Sequence, residues 1–212
     1  MTSAPIPRHP RSGPELTAAE VLADALRQIT VAYADPPYLG CCGLYVHHHP
    51  DGRCWDDLET HRLLIERLVV EFPDGWALSL TSSSLQQLLP LCPPDVRIGA
   101  WVKPFASFKP NINPAYAWEP VIWRGGRCRT YRNGGTTVRD WVSEPMSMKR
   151  GTYGAKPEAF CFWLFQVLGL EVGDTLVDLF EGSGAVMRGW ERYRQQFALT
   201  PTISSQLELE AV

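Results

Sequence analysis

The tetrapeptide Asp35-Pro36-Pro37-Tyr38 has the residue types needed to hold an aromatic amine. Such an amine is a poor nucleophile because its lone pair is delocalised into the ring. The Asp35 carboxylate can accept one of its N–H groups and the Pro36 carbonyl the other, while proline fixes the backbone. The Tyr38 ring can stack on a base flipped out of a duplex. These residues predict chemistry on the exocyclic amine of a nucleobase, although they also fit an ordinary turn at the end of a strand.

A strand must place this tetrapeptide. Residues 29–34 form a β-branched and apolar run, Ile-Thr-Val-Ala-Tyr-Ala, directly before Asp35. Two consecutive prolines cannot continue a central strand, so we expect the strand to end there. Asp35 would then lie at the carboxyl end of a strand, where open α/β sheets bind their ligands.

A second strand later in the chain leads into a glycine-rich turn and a helix. Residues 174–180 predict the strand, Glu181-Gly182-Ser183-Gly184 the turn, and Ala185 opens a helix that runs to about Gln195. Such a turn lets a ligand approach the backbone closely, and Asp178 or Glu181 could accept hydrogen bonds from it. A P-loop is disfavoured because no Gly-Lys-Ser/Thr follows, and a dinucleotide fingerprint lacks its third glycine. An ordinary strand-to-helix turn is the remaining alternative.

Three motifs occur in a fixed order: Asp35–Tyr38, then Lys156-Pro157-Glu158, then Asp178–Gly184. The set resembles the amino-methyltransferases of DNA in their permuted, β-group arrangement, where the catalytic motif precedes the cofactor motif. The resemblance covers about residues 29–195 and implies a Rossmann-like sheet, S-adenosylmethionine as cofactor, and in-line methyl transfer without a metal or a covalent enzyme intermediate. It assigns catalytic roles to Asp35, Pro36, Pro37 and Tyr38. The residues it assigns to the cofactor pocket are Lys156, Asp178, Phe180, Glu181, Gly182, Ser183 and Gly184.

The resemblance also implies adenine N6 in double-stranded DNA as the acceptor. The Asp-Pro-Pro-Tyr motif is commoner in the adenine enzymes of the family, whereas the cytosine N4 enzymes more often begin with Ser; cytosine N4 and RNA remain alternatives. A further strand, ending in an acid that holds the cofactor ribose, usually follows the first cofactor helix in this family. Here the chain continues through residues 197–201 without such a strand, and Glu208 or Glu210 are candidate remnants of the acid. This predicts a reduced sheet edge and leaves open a degenerate module that binds nucleic acid or a partner without catalysis.

Strands that alternate with helices predict a single α/β domain with a mostly parallel sheet covered on both faces. We expect the domain to span residues 15–198, between a disordered tail over residues 1–14 and a flexible tail over residues 199–212. The further predicted helices are residues 16–28, 56–70, 83–89 and 158–168, and the further predicted strands are residues 75–80, 97–102 and 117–123. The helix over residues 158–168 is apolar on nearly all sides, which indicates packing against the sheet.

A basic segment lies where the family places its target-recognition insert, within residues 124–153. The net charge of the chain is −3, so nucleic-acid contact would have to come from a local basic patch of this kind. Arginines can contact phosphates and a tyrosine can stack on a base, although a solvated surface loop is the alternative. The insert is short, which predicts either modest sequence specificity or a contribution from a partner subunit or a homodimer. The predicted nucleic-acid contacts are Arg124, Arg127, Arg129, Tyr131 and Arg132.

Two other sets of residues could do chemistry. Lys103 follows the strand over residues 97–102 and could face the site, or it could extend from a buried aromatic cluster. Zinc would need ligands from Cys41, Cys42, His47, His48, His49 and Cys54. Adjacent cysteines and adjacent histidines are not a usual zinc spacing, so a loop over the base pocket is favoured and no metal is predicted.

The composition is that of a soluble globular protein. The 212 residues are 45% hydrophobic and 20% charged, and the longest apolar run is far shorter than the roughly 20 residues of a membrane helix. Residues 1–13 have no apolar segment typical of a secretory signal. The six cysteines show no repeated CxxC spacing. We therefore expect reduced thiols in a cytoplasmic protein that does not bind a membrane.

Overall fold

The computed structural model describes residues 27–44, 52–105, 112–127, 137–146 and 155–198. Six strands form one sheet: β1 (Thr30–Ala34), β2 (Gly75–Ser79), β3 (Arg97–Val102), β4 (Trp118–Gly125), β5 (Trp141–Ser143) and β6 (Thr175–Asp178). The α-helices are α1 (Leu58–Glu71), α2 (Leu85–Leu88), α3 (Glu158–Val167) and α4 (Ala185–Ala198). Short 3-10 turns occupy Cys42–Leu44, Gly52–Asp56 and Leu89–Leu91.

The strand order is β5-β3-β4-β2-β1-β6. β1 runs parallel to both β2 and β6, β3 runs parallel to β5, and β4 is antiparallel to its two neighbours. The prediction of a mostly parallel α/β sheet is therefore confirmed. Every strand except β4 ends at the same side of the sheet, which we call the carboxyl edge, and β4 begins there.

Side chains alternate along β1 between two buried clusters. Val31 and Tyr33 pack with α3 and α4, whereas Ala32 and Ala34 pack with α1 and α2. Alternation of this kind places successive side chains on opposite faces of a sheet. Both faces of the sheet are thus covered, as the sequence pattern predicts.

Helix α1 has both a start signal and an apolar face. The Asp57 side chain accepts a hydrogen bond from the Glu59 backbone N–H at 3.2 Å, which caps the helix. Its buried residues follow the spacing i, i+3, i+4 and i+7 of one helical face. They are His61, Leu64, Ile65 and Leu68.

Helix α3 is buried on several sides because one side packs against the sheet and α4 covers another. Phe160 and Phe165 are fully buried, and the Phe165 ring meets the Trp190 ring of α4 edge-on at 5.2 Å. Pro157 is the N-cap of α3, so Lys156 stands directly before the helix. The prediction that this apolar helix packs against the sheet is confirmed.

Several elements depart from prediction, and β6 ends at Asp178 instead of residue 180. α2 is shorter than the predicted helix, since Pro90 lies within a 3-10 turn that replaces its end. β4 continues to Gly125, into the segment predicted as a loop, and β5 was missed because it has only three residues. The predicted tails, and residues 16–26 of the first predicted helix, lie outside the described residues.

β6 is the outermost strand on its side among the described residues. In the described part of the chain, no helix combines the length and the apolar character needed to cross a membrane.

Candidate active site

The two sequence motifs lie side by side at the carboxyl edge. Tyr33 of β1 is in register with Asp178 of β6, and the Leu179 N–H donates to the Tyr33 carbonyl at 2.9 Å. Asp35 therefore leaves β1 beside the point where the chain leaves β6 for its glycine turn. The position is typical of a ligand site in an open α/β sheet.

The Asp35 carboxylate is engaged through one of its two oxygens. The Tyr38 hydroxyl donates to Asp35 Oδ1 at 2.9 Å, and Lys156 Nζ lies 2.9 Å from the same oxygen. Among the described residues both contacts fall on Oδ1, so Oδ2 is left to accept a hydrogen bond from a ligand. The adjacent Pro36 is buried, which fixes the backbone that carries the second predicted acceptor.

Lys156 joins the Asp35 motif and not the glycine turn. Its Nζ also lies 2.9 Å from Tyr38 Oη and 3.3 Å from Glu119 Oε2, and the residue is only 8% exposed. The Trp101 and Phe160 rings lie beside the ammonium, with centroids at 5.4 Å and 5.6 Å. Burial alone would lower the pKa of Lys156, but the carboxylates of Asp35 and Glu119 outweigh it and raise the pKa, so the amine is charged.

Glu119 is a site residue that the sequence analysis missed. It lies on β4 and forms ion pairs with both Lys103 and Lys156. Burial alone would raise the pKa of Glu119, yet the two lysines lower it, so this carboxylate is ionised. The available signal was a single acid inside the apolar strand β4, next to the end where that strand begins.

Lys103 satisfies both predictions made for it. Its Nζ pairs with Glu119, so the side chain faces the site. The same ammonium lies 4.6 Å from the centroid of the Trp101 ring, within a buried aromatic cluster. A lysine at the end of an apolar strand can therefore pack its stem and still reach a polar site.

Tyr38 is held as a hydrogen-bond donor. Burial, together with the carboxylates of Asp35 and Glu119, raises the pKa of Tyr38 well above its usual value. Lys156 lies over one face of the ring, 5.5 Å from its centroid. Stacking of this ring on a base stays a prediction.

The turn after β6 needs its glycines. Gly182 has φ 48° and Gly184 has φ 69°, both in the left-handed region that other residues rarely adopt. The Gly184 N–H closes the turn on the Glu181 carbonyl at 2.6 Å. Next to the turn, the Phe180 ring packs edge-on against Trp55 at 5.1 Å. The backbone of the turn is thereby fixed ahead of α4.

Asp178 carries an unsatisfied buried oxygen. Its Oδ1 accepts from the Phe180 N–H at 3.2 Å, whereas its Oδ2 is buried without a hydrogen-bond partner. Burial raises the pKa of Asp178 to about 6. An unpaired buried acceptor costs stability unless a ligand satisfies it. A ligand with a cationic amine or a hydroxyl group would fit this position.

The arginines predicted to contact nucleic acid do not lie at this edge where the structure describes them. Arg124 pairs in register with Trp76 near the start of β2, on the opposite side of the sheet, and its Nε lies 2.9 Å from both carboxylate oxygens of Asp95. Arg127 is 7% exposed and pairs with the buried Asp174. A buried, ion-paired guanidinium is not accessible to a phosphate, so the predicted role is wrong for Arg127. Arg129, Tyr131 and Arg132, like the three histidines weighed as zinc ligands, lie outside the described residues.

No protein-family model matches the sequence, and no curated protein does. Solved structures do match. A structure of M1.HpyAVI in complex with SAM aligns with a TM-score of 0.50 and 12% identity over 78% of each chain. The α/β fold of this chain is thus similar to that of a protein crystallised with SAM.

Two further structures were compared. Another structure of M1.HpyAVI aligns over 91% of this chain and 95% of its own, at 12% identity and a TM-score of 0.45. A Thermus thermophilus protein assigned as a DNA modification methylase aligns over 82% of each chain, at 14% identity and a TM-score of 0.46.

Proposed function

We propose that the protein is an S-adenosylmethionine-dependent methyltransferase that acts on the exocyclic amine of a base in DNA, with adenine N6 as its acceptor. The observation that carries this proposal is the parallel pairing of β1 with β6. It brings Asp35–Tyr38 and Asp178–Gly184 together at one sheet edge, although they are far apart in the chain. The similarity of the fold to M1.HpyAVI, which was crystallised with SAM, supports the choice of S-adenosylmethionine as cofactor.

The acceptor half of the site is built from Asp35 and Pro36. Asp35 Oδ2 and the Pro36 carbonyl accept the two N–H groups of the flipped base, which keeps the nitrogen lone pair out of the ring. Lys156 and Tyr38 hold Asp35 Oδ1 and so fix the carboxylate in place. Positioning of this kind can supply much of the rate of a reaction between two bound groups.

The residues present fit S-adenosylmethionine at the other half of the site. Asp178 Oδ2 is a buried oxygen in need of a donor, which a cationic amine or a hydroxyl of the cofactor would supply. The turn at Gly182 and Gly184 allows close approach to the backbone, and Phe180, Glu181 and Ser183 flank it. When bound, the cofactor supplies an electrophilic methyl group on a sulfonium.

A direct test is methyl transfer from labelled S-adenosylmethionine to double-stranded DNA and to RNA, followed by mass spectrometry of the nucleosides. We expect N6-methyladenine in DNA. N4-methylcytosine, or methylation of RNA alone, would contradict the proposed acceptor and keep the proposed chemistry. No methylated nucleoside from any of these substrates would contradict both.

The alternative is a methyltransferase-like module that binds nucleic acid or a partner subunit without catalysis. Calorimetry decides between the two: no heat of binding with S-adenosylmethionine at millimolar concentration would favour the binding module.

Asp178→Asn is expected to weaken cofactor binding by about tenfold at neutral pH and to remove part of its pH dependence. The pKa of Asp178 is about 6, so in the wild type the carboxylate gains a proton as the pH falls below that value. Affinity for a cationic ligand should then fall toward acid pH, and the asparagine variant should lack this loss. Calorimetric titrations between about pH 5 and about pH 8 measure both effects.

The same substitution should raise the stability of the cofactor-free protein at neutral pH. A raised carboxyl pKa in the folded state means that stability falls as the pH rises from about 4 toward about 6, and asparagine removes this cost. Asp95→Asn is the matched control, since it makes the same change in an exposed ion pair at the opposite edge. Equal cofactor affinity in Asp178→Asn and Asp95→Asn would contradict the assignment of Asp178.

A further inference from the structure

Glu119 connects side chains from separate elements that the proposed chemistry needs close together. Its Oε2 lies 3.1 Å from the Tyr38 hydroxyl and 3.3 Å from Lys156 Nζ, and its Oε1 pairs with Lys103. Tyr38 and Lys156 are the two groups that contact Asp35 Oδ1. Glu119 thus touches both partners of Asp35, while none of its hydrogen bonds or ion pairs reaches Asp35 itself.

The cluster balances its charges. Asp35 and Glu119 are the acids, and Lys103 and Lys156 are the bases, so two positive charges meet two negative ones. Lys103 and Lys156 are each 8% exposed, and the Trp101 ring lies within 5.4 Å of both ammonium groups. Removal of one member would leave a net charge in an apolar surrounding, which is costly.

A purely structural role does not explain this arrangement. Apolar residues of similar volume usually stabilise a fold as well as a buried ion pair does, because desolvation offsets most of the Coulomb attraction. The charges are also placed at the carboxyl edge, where Glu119, the second residue of β4, is in register with Trp101 near the end of β3. Their position points to a role in the site.

The geometry also limits what Lys156 can do. With Glu119 present, the ammonium is shared between two carboxylates, at 2.9 Å from Asp35 Oδ1 and 3.3 Å from Glu119 Oε2. Without Glu119, Asp35 would be the remaining carboxylate partner of the Lys156 ammonium, which could then move from Oδ1 onto Oδ2. The Tyr38 hydroxyl lies between the same two carboxylates, at 2.9 Å from Asp35 Oδ1 and 3.1 Å from Glu119 Oε2, so without Glu119 it could likewise move onto Oδ2.

We propose that Glu119, anchored by Lys103, is a positioning residue that holds Lys156 and Tyr38 on Asp35 Oδ1 and thereby keeps Oδ2 open to the amine of the base. The inference rests on the proposed methyl transfer and deepens it. Glu119 acts through other side chains, so it should affect turnover more than cofactor binding. Lys103, which directly follows the neighbouring strand β3, anchors Glu119 through their ion pair.

The test is single-turnover methyl transfer at saturating cofactor and DNA in Glu119→Gln, Glu119→Asp and the wild type. We expect Glu119→Gln to lower the turnover rate by about tenfold or more, because displaced catalytic groups lose much of their advantage. Its dissociation constant for S-adenosylmethionine should stay within about twofold of the wild type. Glu119→Asp keeps the charge and should recover part of the rate.

Glu66→Gln is the matched control, since it makes the same change in an exposed helical ion pair with Arg62 and should leave the rate unchanged. If Glu119→Gln does not fold, as judged by circular dichroism, the double variant Lys103→Gln/Glu119→Gln replaces it. The double variant keeps the cluster neutral and should also lose at least about fivefold in rate. A rate within about twofold of the wild type in whichever variant folds would overturn the inference.

The two proposals fail in different ways. Methyl transfer by the wild type with an unaffected Glu119→Gln rejects only the role of Glu119. Lack of methyl transfer by the wild type rejects the proposed function, and the role of Glu119 falls with it. Equal weakening of cofactor binding and turnover in Glu119→Gln would also overturn the inference, because a positioning role on the acceptor side predicts that binding is spared.

Discussion

Asp35→Ala is expected to abolish methyl transfer and to leave S-adenosylmethionine binding intact. The substitution removes Oδ2, the acceptor proposed for the amine, and Oδ1, which Tyr38 and Lys156 contact. The rate should fall by at least about 100-fold, because the base is no longer oriented against the methyl group. The cofactor contacts proposed for Asp178 and the glycine turn come from β6 and are unchanged.

Incorporation of labelled methyl into DNA measures the loss, and calorimetry with S-adenosylmethionine measures what is retained. Lys156 keeps Glu119 as a counter-charge in this variant, so we expect it to fold. Asp95→Ala is the matched control, because Asp95 is an exposed carboxylate at the opposite edge. Equal incorporation by Asp35→Ala and the wild type would show that Asp35 is not catalytic.

The two halves of the site differ in their electrostatics, and this difference bears on how they work. On the proposed acceptor side, Asp35, Glu119, Lys103 and Lys156 neutralise one another before any substrate binds. On the proposed cofactor side, Asp178 has a buried oxygen without a hydrogen-bond partner among the described residues. The charged groups of the proposed acceptor side are therefore already paired without a substrate. The buried Asp178 oxygen, by contrast, gains a hydrogen-bond donor only when a ligand binds. We expect the cofactor to stabilise the fold more than DNA does.

Local sequence pattern predicts the end of β1 correctly and the end of β6 only to within two residues. Two prolines directly follow Asp35 and end β1, whereas three residues separate the end of β6 from Gly182, the first glycine with positive φ in the turn. The pairing of β1 with β6 is different, because nothing local to either strand specifies a partner so distant in the chain. This parallel pairing was not predicted, and only the folded chain shows it.

Side-chain partners were the harder part to predict. Glu119 was missed because its two lysine partners lie on other elements, and a lone acid in a strand does not reveal them. Arg127 was misinterpreted for the same reason. It stands in an Arg- and Gly-rich stretch typical of a solvated loop, but its partner Asp174 is 47 residues away and buried. Charge content alone does not show which charges are paired in the interior.

Asp174→Ala is expected to destabilise the protein by about 3–5 kcal/mol, because it leaves the buried Arg127 without its counter-charge. The carboxylate also accepts from the Ile29 N–H at 3.0 Å and the Glu171 N–H at 2.7 Å, and it joins the starts of β1 and β6. Arg127→Met should cost less, since Asp174 would keep those two backbone donors. Urea unfolding of the wild type, Asp174→Ala and Arg127→Met measures the free energy of unfolding of each protein and tests this order.

Arg67→Met is the matched control for Arg127→Met, because Arg67 pairs with Glu71 on the exposed face of α1. It should lose only a small fraction of the stability lost in Arg127→Met, since exposed pairs contribute little. The pair of Arg127 and Asp174 lies at the edge opposite the site, so methyl transfer by folded Arg127→Met should match the wild type. Loss of DNA binding in that variant without loss of stability would instead restore Arg127 as a nucleic-acid contact.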